Sequence, residues 1–152
     1  MVKALVTEID IDAPRQRVWQ ILVELPAYPE WNPFIVEVAA GRAQVGDRLT
    51  LRMKNVGGRV TTTRPTVVEA HEGELLRWQG RLWFPGIFDV VHSFALEDRA
   101  GNGTRLVQKE DFRGMLVPLV ARTLDRGTLP AFVLMNQALK RRAEESVDRS
   151  HG

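Results

Sequence analysis

The sequence contains no cysteine, and this absence excludes disulfide bonds and thiol-based catalysis. A chain without thiols is compatible with a reducing compartment. The sequence also has no apolar stretch close to the roughly 18 residues that a membrane-spanning helix needs. Its first residues, MVKALVTEIDID, alternate charged and apolar side chains and contain no continuous apolar segment, so no signal peptide is expected. Together these absences predict a cytoplasmic protein without a membrane span.

Sequence patterns that bind metals or phosphate groups are also missing. The histidines, His71, His92 and His151, are scattered and do not follow the HxxxH or HExxH spacing of metal ligands, so no metal site is predicted. The segment AGNGTR is rich in glycine, but it opens a strand and not a helix, which predicts a turn and not a phosphate-binding loop. No P-loop or dinucleotide-binding motif is present, so no cofactor is expected.

The charge distribution gives no sign of a nucleic-acid partner. The net charge is +2, and basic and acidic residues are interleaved along the chain. Sheets that bind RNA stack bases on exposed aromatic side chains, whereas the aromatics here alternate toward the opposite face of the predicted strands. We therefore interpret the basic residues at outward strand positions as a solvated face. These residues are Arg52, Lys54, Arg59, Arg77, Arg81, Arg105, Lys109 and Arg113.

The length and composition fit one globular domain. The chain has 152 residues, of which 44% are hydrophobic and 26% charged, enough to form a substantial core. We predict a single domain over residues 1–149 and a frayed tail over residues 150–152.

Apolar periodicity predicts the order of elements. Alternation indicates a strand over residues 2–11, and the segment DAPRQRVWQILVEL then predicts a helix with Asp12 as N-cap and Pro14 in its first turn. Pro26 and Pro29 end this helix, and a short helical turn follows. Six more strands are predicted over residues 34–39, 47–55, 59–71, 74–81, 87–97 and 103–113, separated by glycine and proline turns.

The last third of the chain returns to helical spacing, with Gly127 and Pro130 predicting a kink or break. The order is β-α-α-β6-α, an α+β fold. An antiparallel sheet with one apolar face needs a cover, and the C-terminal helix is the long amphipathic element that can provide it. We therefore predict a curved sheet of about seven strands around that helix, with a cavity between them.

Several segments, in this order, are similar to a known family. IDAPRQRVWQILVELPAYPEWNPFI, LRWQGRLWFPGIFDVVHSFALE, GTRLVQKEDFRGML and MNQALKRRAEE resemble the SRPBCC superfamily, the START-like helix-grip proteins. The similarity is greatest to the polyketide cyclase/dehydrase and lipid-transport branch, and it covers roughly residues 3–146. This resemblance implies a helix-grip fold with a hydrophobic ligand cavity, in a superfamily that includes carriers, receptors and cyclases.

The hairpin of the last two strands predicts a polar cluster on the inner face. FDVVHSF and RLVQKEDF both alternate, and a turn centred on Ala100 would set their register. His92, Gln108 and Glu110 would then lie among aromatic side chains, where buried polar groups need hydrogen-bond partners. The predicted pairs are Phe94 with Leu106, His92 with Gln108, Val90 with Glu110 and Phe88 with Phe112.

Three interpretations of this cluster remain open. The three side chains could bond to one another and anchor the C-terminal helix through Asn136, or they could line the cavity and bind the polar end of a ligand. In the third, His92 and Glu110 transfer protons in an enzyme of the cyclase or dehydratase type. A nucleophile is missing, because Ser93 points to the strand face opposite His92.

The sequence thus predicts a binding protein for a hydrophobic or aromatic small molecule, such as a lipid or a polyketide-like compound. The apolar loop LWFPGI, over residues 82–87, supports a different hypothesis, a protein-interaction surface that includes Trp83. The oligomeric state stays open between monomer and homodimer. The predicted ligand-binding residues are Trp78, Phe88, Val90, His92, Phe94, Leu106, Gln108, Glu110, Phe112, Leu116, Val120, Phe132, Met135 and Leu139.

Overall fold

The computed structural model of the protein describes residues 2–82 and 84–149. The predictions for Trp83 and for the tail over residues 150–152 therefore lie outside the described residues. The strands are β1 (Val2–Ile11), β2 (Ile35–Ala40), β3 (Thr50–Lys54), β4 (Val60–Thr63), β5 (Thr66–His71), β6 (Leu75–Leu82), β7 (Phe88–Arg99) and β8 (Gly103–Arg113). The helices are α1 (Arg15–Val23), a 3-10 helix (Leu25–Glu30), α2 (Val117–Thr123), a π-helix (Leu124–Thr128) and α3 (Leu129–Arg149).

The strands form two antiparallel sheets. One has five strands in the order β1-β8-β7-β6-β5, and the other has three in the order β2-β3-β4. The two sheets meet at an isolated bridge between Arg48 and Thr66. This arrangement, with the long C-terminal helix α3, confirms the predicted helix-grip fold, although the described part of the chain has eight strands and not about seven.

The extra strand arises at Pro65, where the single strand predicted over residues 59–71 is divided. Proline has no N–H to donate to a sheet and is found at strand ends and edges. Its carbonyl oxygen still accepts a hydrogen bond from the N–H of Leu49, at 2.8 Å. The chain therefore leaves the three-stranded sheet after β4 and enters the five-stranded sheet as β5.

The first helix begins later than predicted. Its N-cap is Pro14 and not Asp12, and the carbonyl oxygen of Pro14 accepts a hydrogen bond from the N–H of Val18, at 3.2 Å. Pro14 has extended backbone angles that suit a cap. The N–H of Asp12 instead donates to Oε1 of Glu144 in α3, at 2.9 Å, so Asp12 belongs to the connection that joins β1 to α1.

The break predicted in the C-terminal helix is present as the π-helix between α2 and α3. The N–H of Leu129 donates to the carbonyl oxygen of Leu124, five residues earlier, which is the π-helical pattern. Pro130 follows directly and has no N–H to continue the helical hydrogen bonds, so the irregular turn lies next to it.

The core lies where α3 contacts β1, β8 and α1. One face of α3 is buried at helical spacing, which is the pattern of a helix packed on a sheet. Its buried residues are Ala131, Phe132, Met135, Asn136, Ala138, Leu139 and Ala143. Opposite them, strands β6, β7 and β8 contribute buried side chains such as Leu76, Phe94 and Leu106.

Candidate functional site

A cavity of about 550 Å³ lies between the two sheets, α2 and the π-helix. Its volume is within the range of pockets that enclose a whole small molecule. Strands β6, β7 and β8 supply one wall, and the three-stranded sheet supplies another. Seven of the residues that the sequence predicted as ligand contacts line this cavity: Trp78, Phe88, Val90, His92, Glu110, Phe112 and Val120.

The other seven predicted residues lie outside the cavity wall. Leu116 is partly exposed just before α2, and the remaining six are fully buried in the core. The reason is that α3 packs directly on the five-stranded sheet, so the open space is left beside α2 and the three-stranded sheet. The six core residues are Phe94, Leu106, Gln108, Phe132, Met135 and Leu139.

Sequence reasoning missed the wall that comes from the three-stranded sheet. Phe34, Met53 and the run Thr61–Thr63 line the cavity there, and Arg59 and Arg81 do so as well. Both arginines had been predicted to lie on a solvated outer face. They lie next to the ends of β4 and β6, beside the gap between the sheets, where strand alternation no longer fixes which way a long side chain extends. The sequence signal for this gap between the sheets was Pro65, which divides the strand predicted over residues 59–71.

The β7–β8 register differs from the prediction by two positions. Arg99 pairs with Gly103, so the turn is centred on Gly101 and not on Ala100. Gly101 and Asn102 have φ angles of +77° and +62°, the left-handed conformation that glycine and asparagine tolerate best. A shift of two positions leaves each side chain on its predicted face.

The corrected register places His92 in a row of direct neighbours across the sheet. Glu110 of β8 lies opposite it on one side, and Trp78 of β6 lies opposite it on the other. The prediction that His92 opposes Gln108 and that Val90 opposes Glu110 is therefore wrong. His92 and Glu110 are 3% and 8% exposed, so this pair is almost fully shielded from solvent.

Both ring nitrogens of His92 have polar partners. Nδ1 contacts Oε2 of Glu110, and Nε2 is 3.1 Å from Oε1 of Gln108. One proton between Nδ1 and Oε2 satisfies both atoms. These contacts show that the three polar side chains bond to one another, as one interpretation of the sequence required.

The hydrogen-bond network continues to β1 and α3. Its donor–acceptor order determines whether Nε2 of His92 carries a hydrogen. Gln108 Nε2 donates to Asn136 Oδ1 at 2.7 Å, and Asn136 Nδ2 donates to Thr7 Oγ1 at 2.9 Å. The Thr7 hydroxyl in turn donates to the backbone oxygen of Gln108 at 3.3 Å. Because a backbone carbonyl only accepts, this order leaves Oε1 of Gln108 as an acceptor. Nε2 of His92 therefore carries a hydrogen and donates it to Gln108.

Aromatic rings enclose the imidazole. Trp78 stacks on it with ring centroids 5.3 Å apart and an interplanar angle of 22°. Phe94 and Phe132 lie with their ring centroids 4.6 Å and 5.1 Å from that of His92. The rings hold His92 in one orientation.

In the buried polar cluster, the free hydrogen-bonding capacity at the cavity belongs to Glu110. Both nitrogens of His92 are engaged, while Oε1 of Glu110 has no hydrogen-bond donor among the described residues. Glu110 lines the cavity, so this oxygen can accept a hydrogen bond from a hydroxyl or amine of a bound molecule.

Two further features of the described residues bear on function. No group of three or more His, Asp or Glu side chains is placed there to hold a metal ion. Within that same part of the chain, no helix is both long enough and apolar enough to cross a membrane. In the loop predicted as an interaction surface, Phe84 is 74% exposed, and Trp83 is outside the described residues.

Comparison with known proteins gives a family and a fold. The family model described as polyketide cyclase/dehydrase and lipid transport matches residues 3–149. No curated protein matches the sequence. Among solved structures, the di-domain ARO/CYC StfQ from the steffimycin biosynthetic pathway aligns with a TM-score of 0.77 and 14% identity, over 97% of this chain and 53% of its own. The chain thus spans about half the length of that protein.

Two similar structures are close to this chain in length. The Zhui aromatase/cyclase from a Streptomyces species has a TM-score of 0.76 and 16% identity, over 97% of this chain and 96% of its own. A START superfamily protein from Mycobacterium smegmatis has a TM-score of 0.67 and 18% identity, over 93% of this chain and 97% of its own. At these identities the likeness shows the fold.

Proposed function

Because the chain belongs to the polyketide cyclase/dehydrase and lipid transport family, we propose that it binds a hydrophobic or aromatic small molecule in the cavity beside His92 and Glu110. The observation that carries the proposal is the cavity of about 550 Å³, whose inner wall is formed by aromatic and aliphatic side chains. A mostly apolar pocket with a few polar groups is the usual form of a small-molecule site. The ligand class is a lipid or a polyketide-like compound.

The apolar part of the ligand would contact the buried aromatic residues. Phe34, Trp78 and Phe112 line the cavity and are 4%, 5% and 2% exposed. Burial of apolar ligand surface against such side chains contributes about 25 cal/mol for each Å² removed from water. A hydroxyl on the ligand would donate to the free Oε1 of Glu110 and fix its orientation.

Gly80 offers a direct test, because it lines the cavity and has no side chain. A Cβ added there would lie 3.7 Å from Cβ of Pro65, an ordinary contact, so a side chain can begin at this position without displacing the backbone. Gly80→Phe is expected to weaken uptake of the neutral fluorescent probe N-phenyl-naphthylamine by about tenfold or more, equivalent to about 1.4 kcal/mol per factor of ten. Fluorescence titration and native mass spectrometry measure this.

The matched control is Gly57→Phe. Gly57 has no atom within 4 Å of an added Cβ, and it does not line the cavity. This variant should bind the probe like the unmodified protein. Equal binding by both variants, or no uptake by the unmodified protein, would contradict the proposal.

A second candidate function is that of an enzyme similar to the aromatase/cyclases, with proton transfer at the same pair. The observation that favours it is the contact of Nδ1 of His92 with Glu110 at the cavity wall. Since Nε2 of His92 donates to Gln108, the atom able to exchange a proton with a substrate is Oε1 of Glu110, with His92 as its proton-sharing partner.

Turnover and binding can be separated with Glu110→Gln. This variant keeps the size and can still bond to His92, but it cannot take up a proton. An enzyme would lose turnover of an aromatic polyketide-like substrate by about a hundredfold or more and keep most of its affinity. Equal loss of turnover and affinity, or no turnover in the unmodified protein, favours the binding function alone. The cytoplasmic location stays a prediction, and the oligomeric state stays open between monomer and homodimer.

A further inference from the structure

The mouth of the cavity is rich in arginine. Arg48, Arg59, Arg64 and Arg81 all line the cavity and are exposed, and we refer to these four residues as the arginine rim. In the cavity wall they are accompanied by a single carboxylate, that of Glu110, which is buried and bonded to His92. Positive charge at the opening of an apolar, poorly polarisable cavity raises the local concentration of anions.

Most of this charge is not neutralised within the described residues. Arg81 has a carboxylate partner, Asp89, at 3.4 Å, and Arg48 donates to the backbone oxygen of Arg64, at 3.3 Å. Arg48, Arg59 and Arg64 have no carboxylate partner among the described side chains. Four arginines at other positions of the sheets do have one: Arg52, Arg77, Arg99 and Arg105.

Two such arginines illustrate the difference. Arg52 of β3 pairs with Glu37, and Arg77 of β6 pairs with Glu69, away from the cavity. The sequence therefore places acids beside these two outward arginines and leaves Arg48, Arg59 and Arg64 of the rim without them. Guanidinium groups bind carboxylates, phosphates and sulfonates through charge-assisted hydrogen bonds.

Hydroxyl groups lie between the rim arginines. Thr61, Thr62 and Thr63 of β4 lie between Arg59 and Arg64 in the chain, and all three line the cavity. β4 is an edge strand of its sheet and all of its residues are exposed, so the hydroxyls are accessible to a molecule at the mouth. Threonine hydroxyls donate hydrogen bonds to anionic oxygens.

We propose that the cavity takes an amphipathic anion, whose apolar body lies against the buried aromatic wall and whose anionic oxygen group is held by the arginine rim and the β4 hydroxyls. This inference rests on the proposed binding function and narrows its ligand class. The polarity of the wall changes from inside to outside as an amphipathic ligand requires, because the aromatic side chains are buried or half-buried and the arginines are exposed. The anionic group is a carboxylate, phosphate or sulfonate.

Two probes with the same aromatic body test the proposal. Anilinonaphthalene sulfonate and N-phenyl-naphthylamine differ only in the sulfonate group. The unmodified protein should bind the sulfonate more tightly than the neutral probe, and added salt should reduce that difference, since salt screens exposed charges beyond about 10 Å at 0.1 M. The double variant Arg59→Gln/Arg64→Gln should weaken the sulfonate about tenfold and leave the neutral probe unchanged.

The matched control is Arg141→Gln, which removes an exposed arginine of α3 that does not line the cavity. It should keep the full preference for the sulfonate. Competition by octanoate, octyl phosphate and octanol then identifies the anionic group. Both anions should displace the probe better than octanol does. The anion that competes more strongly identifies the preferred anionic group.

The outcomes separate this inference from the proposed function. If the neutral probe binds and the sulfonate binds no better, or keeps its preference in the double variant, the inference is overturned and the binding function stands. If octanol competes as well as both anions, the inference is overturned too. If neither probe binds, the proposed function fails and the inference fails with it.

Discussion

A histidine between phenylalanines on the inner face of a strand needs a polar partner for each ring nitrogen. Glu110 and Gln108 supply these partners to His92. The network extends through Asn136 to Thr7, so it links two strands of one hairpin to β1 and to α3. At the residue scale, the network therefore holds α3 on the five-stranded sheet. It also holds the Glu110 carboxylate in position at the cavity.

Asn136→Ala tests this link. The change removes the acceptor of Gln108 Nε2 and leaves a buried donor without a partner, so we expect a loss of about 1–3 kcal/mol in the free energy of unfolding. Urea denaturation measures it. Gln137→Ala, on the exposed side of the same helix, is the control and should change stability by less than about 0.5 kcal/mol. Equal losses in the two variants would contradict the structural role of the network.

Tyr28 provides a pH-dependent test, since it is the single tyrosine of the chain. It is fully buried, its hydroxyl donates to the backbone oxygen of Leu22 at 2.6 Å, and burial raises the pKa of the phenol above its ordinary value of 10.0. The folded state thus favours the neutral phenol. The stability that the neutral phenol of Tyr28 contributes is fully present below pH 10.0. It is lost as the pH rises from there toward the higher pKa of the folded state.

In an alkaline titration, tyrosinate absorbance should therefore appear together with unfolding, at a pH above the ordinary pKa of the side chain. Tyr28→Phe is the control, because it removes this ionisable group and should make unfolding less sensitive to alkaline pH. Tyrosinate that forms near the ordinary pKa while circular dichroism still shows the folded state would contradict the burial of Tyr28.

At the scale of elements, the connection from β8 to α2 lies against the loop that precedes β7. The N–H of Met115 donates to the backbone oxygen of Gly86 at 3.0 Å, and the N–H of Leu116 donates to that of Ile87 at 3.1 Å. Gly114 enables this approach, because it has a φ of +129° and a Cβ there would lie 2.6 Å from the carbonyl carbon of Ile87. This close backbone contact needs glycine.

Gly114→Ala is expected to destabilise the protein by about 1–3 kcal/mol from backbone strain alone. The steric conflict with Ile87 adds to that loss. Gly57→Ala has neither a left-handed φ nor a nearby atom, and it should change stability by about 1 kcal/mol or less. Thermal and urea unfolding compare the two variants. Similar stability in both would show that the two connections do not approach as closely as described.

At the scale of the whole molecule, the chain combines two sheets with one long helix. The sheets diverge after the bridge between Arg48 and Thr66, while α3 covers the five-stranded sheet. The cavity remains where α2 and the π-helix face the three-stranded sheet. The space for a ligand therefore results from the way the two sheets separate and not from a gap in the packing of α3.

The prediction of a single domain is tested by cooperative unfolding. Trp19, Trp31 and Trp78 pack in or against the core and report tertiary packing by fluorescence, and far-ultraviolet circular dichroism reports the helices and strands. Both signals should follow one transition in urea with the same midpoint and a slope of about 1–3 kcal/mol per molar. Guanidinium chloride serves as the second denaturant. Two resolved transitions would mean that the sheets unfold separately.

Much of the fold was predictable from local patterns. β1 has its predicted bounds, and the interruption predicted by Gly127 and Pro130 in the C-terminal helix is present as the π-helix. The inner faces of β7 and β8 were also predictable, because strand alternation fixes which residues share a face. The exact pairing of His92 was not, since it depends on the conformation of the turn at Gly101.

The candidate site was predictable only in part, because its two walls have different origins. The wall from β6, β7 and β8 follows from alternation along consecutive strands, and it contains Trp78, Val90 and Glu110. The wall from β3 and β4, with its arginines, depends on where the second sheet lies. No local periodicity encodes that position.

The sequence by itself determined the order of the helices and strands, which residues of β7 and β8 share a face, and that His92, Gln108 and Glu110 lie on a common buried face. Periodicity and turn chemistry act over a few residues, and these properties are local. The tertiary structure decided that Glu110 faces His92, that Asn136 closes the network and that the cavity opens toward the arginine rim. These are contacts between segments distant in the chain, which are set by how the two sheets and α3 pack together.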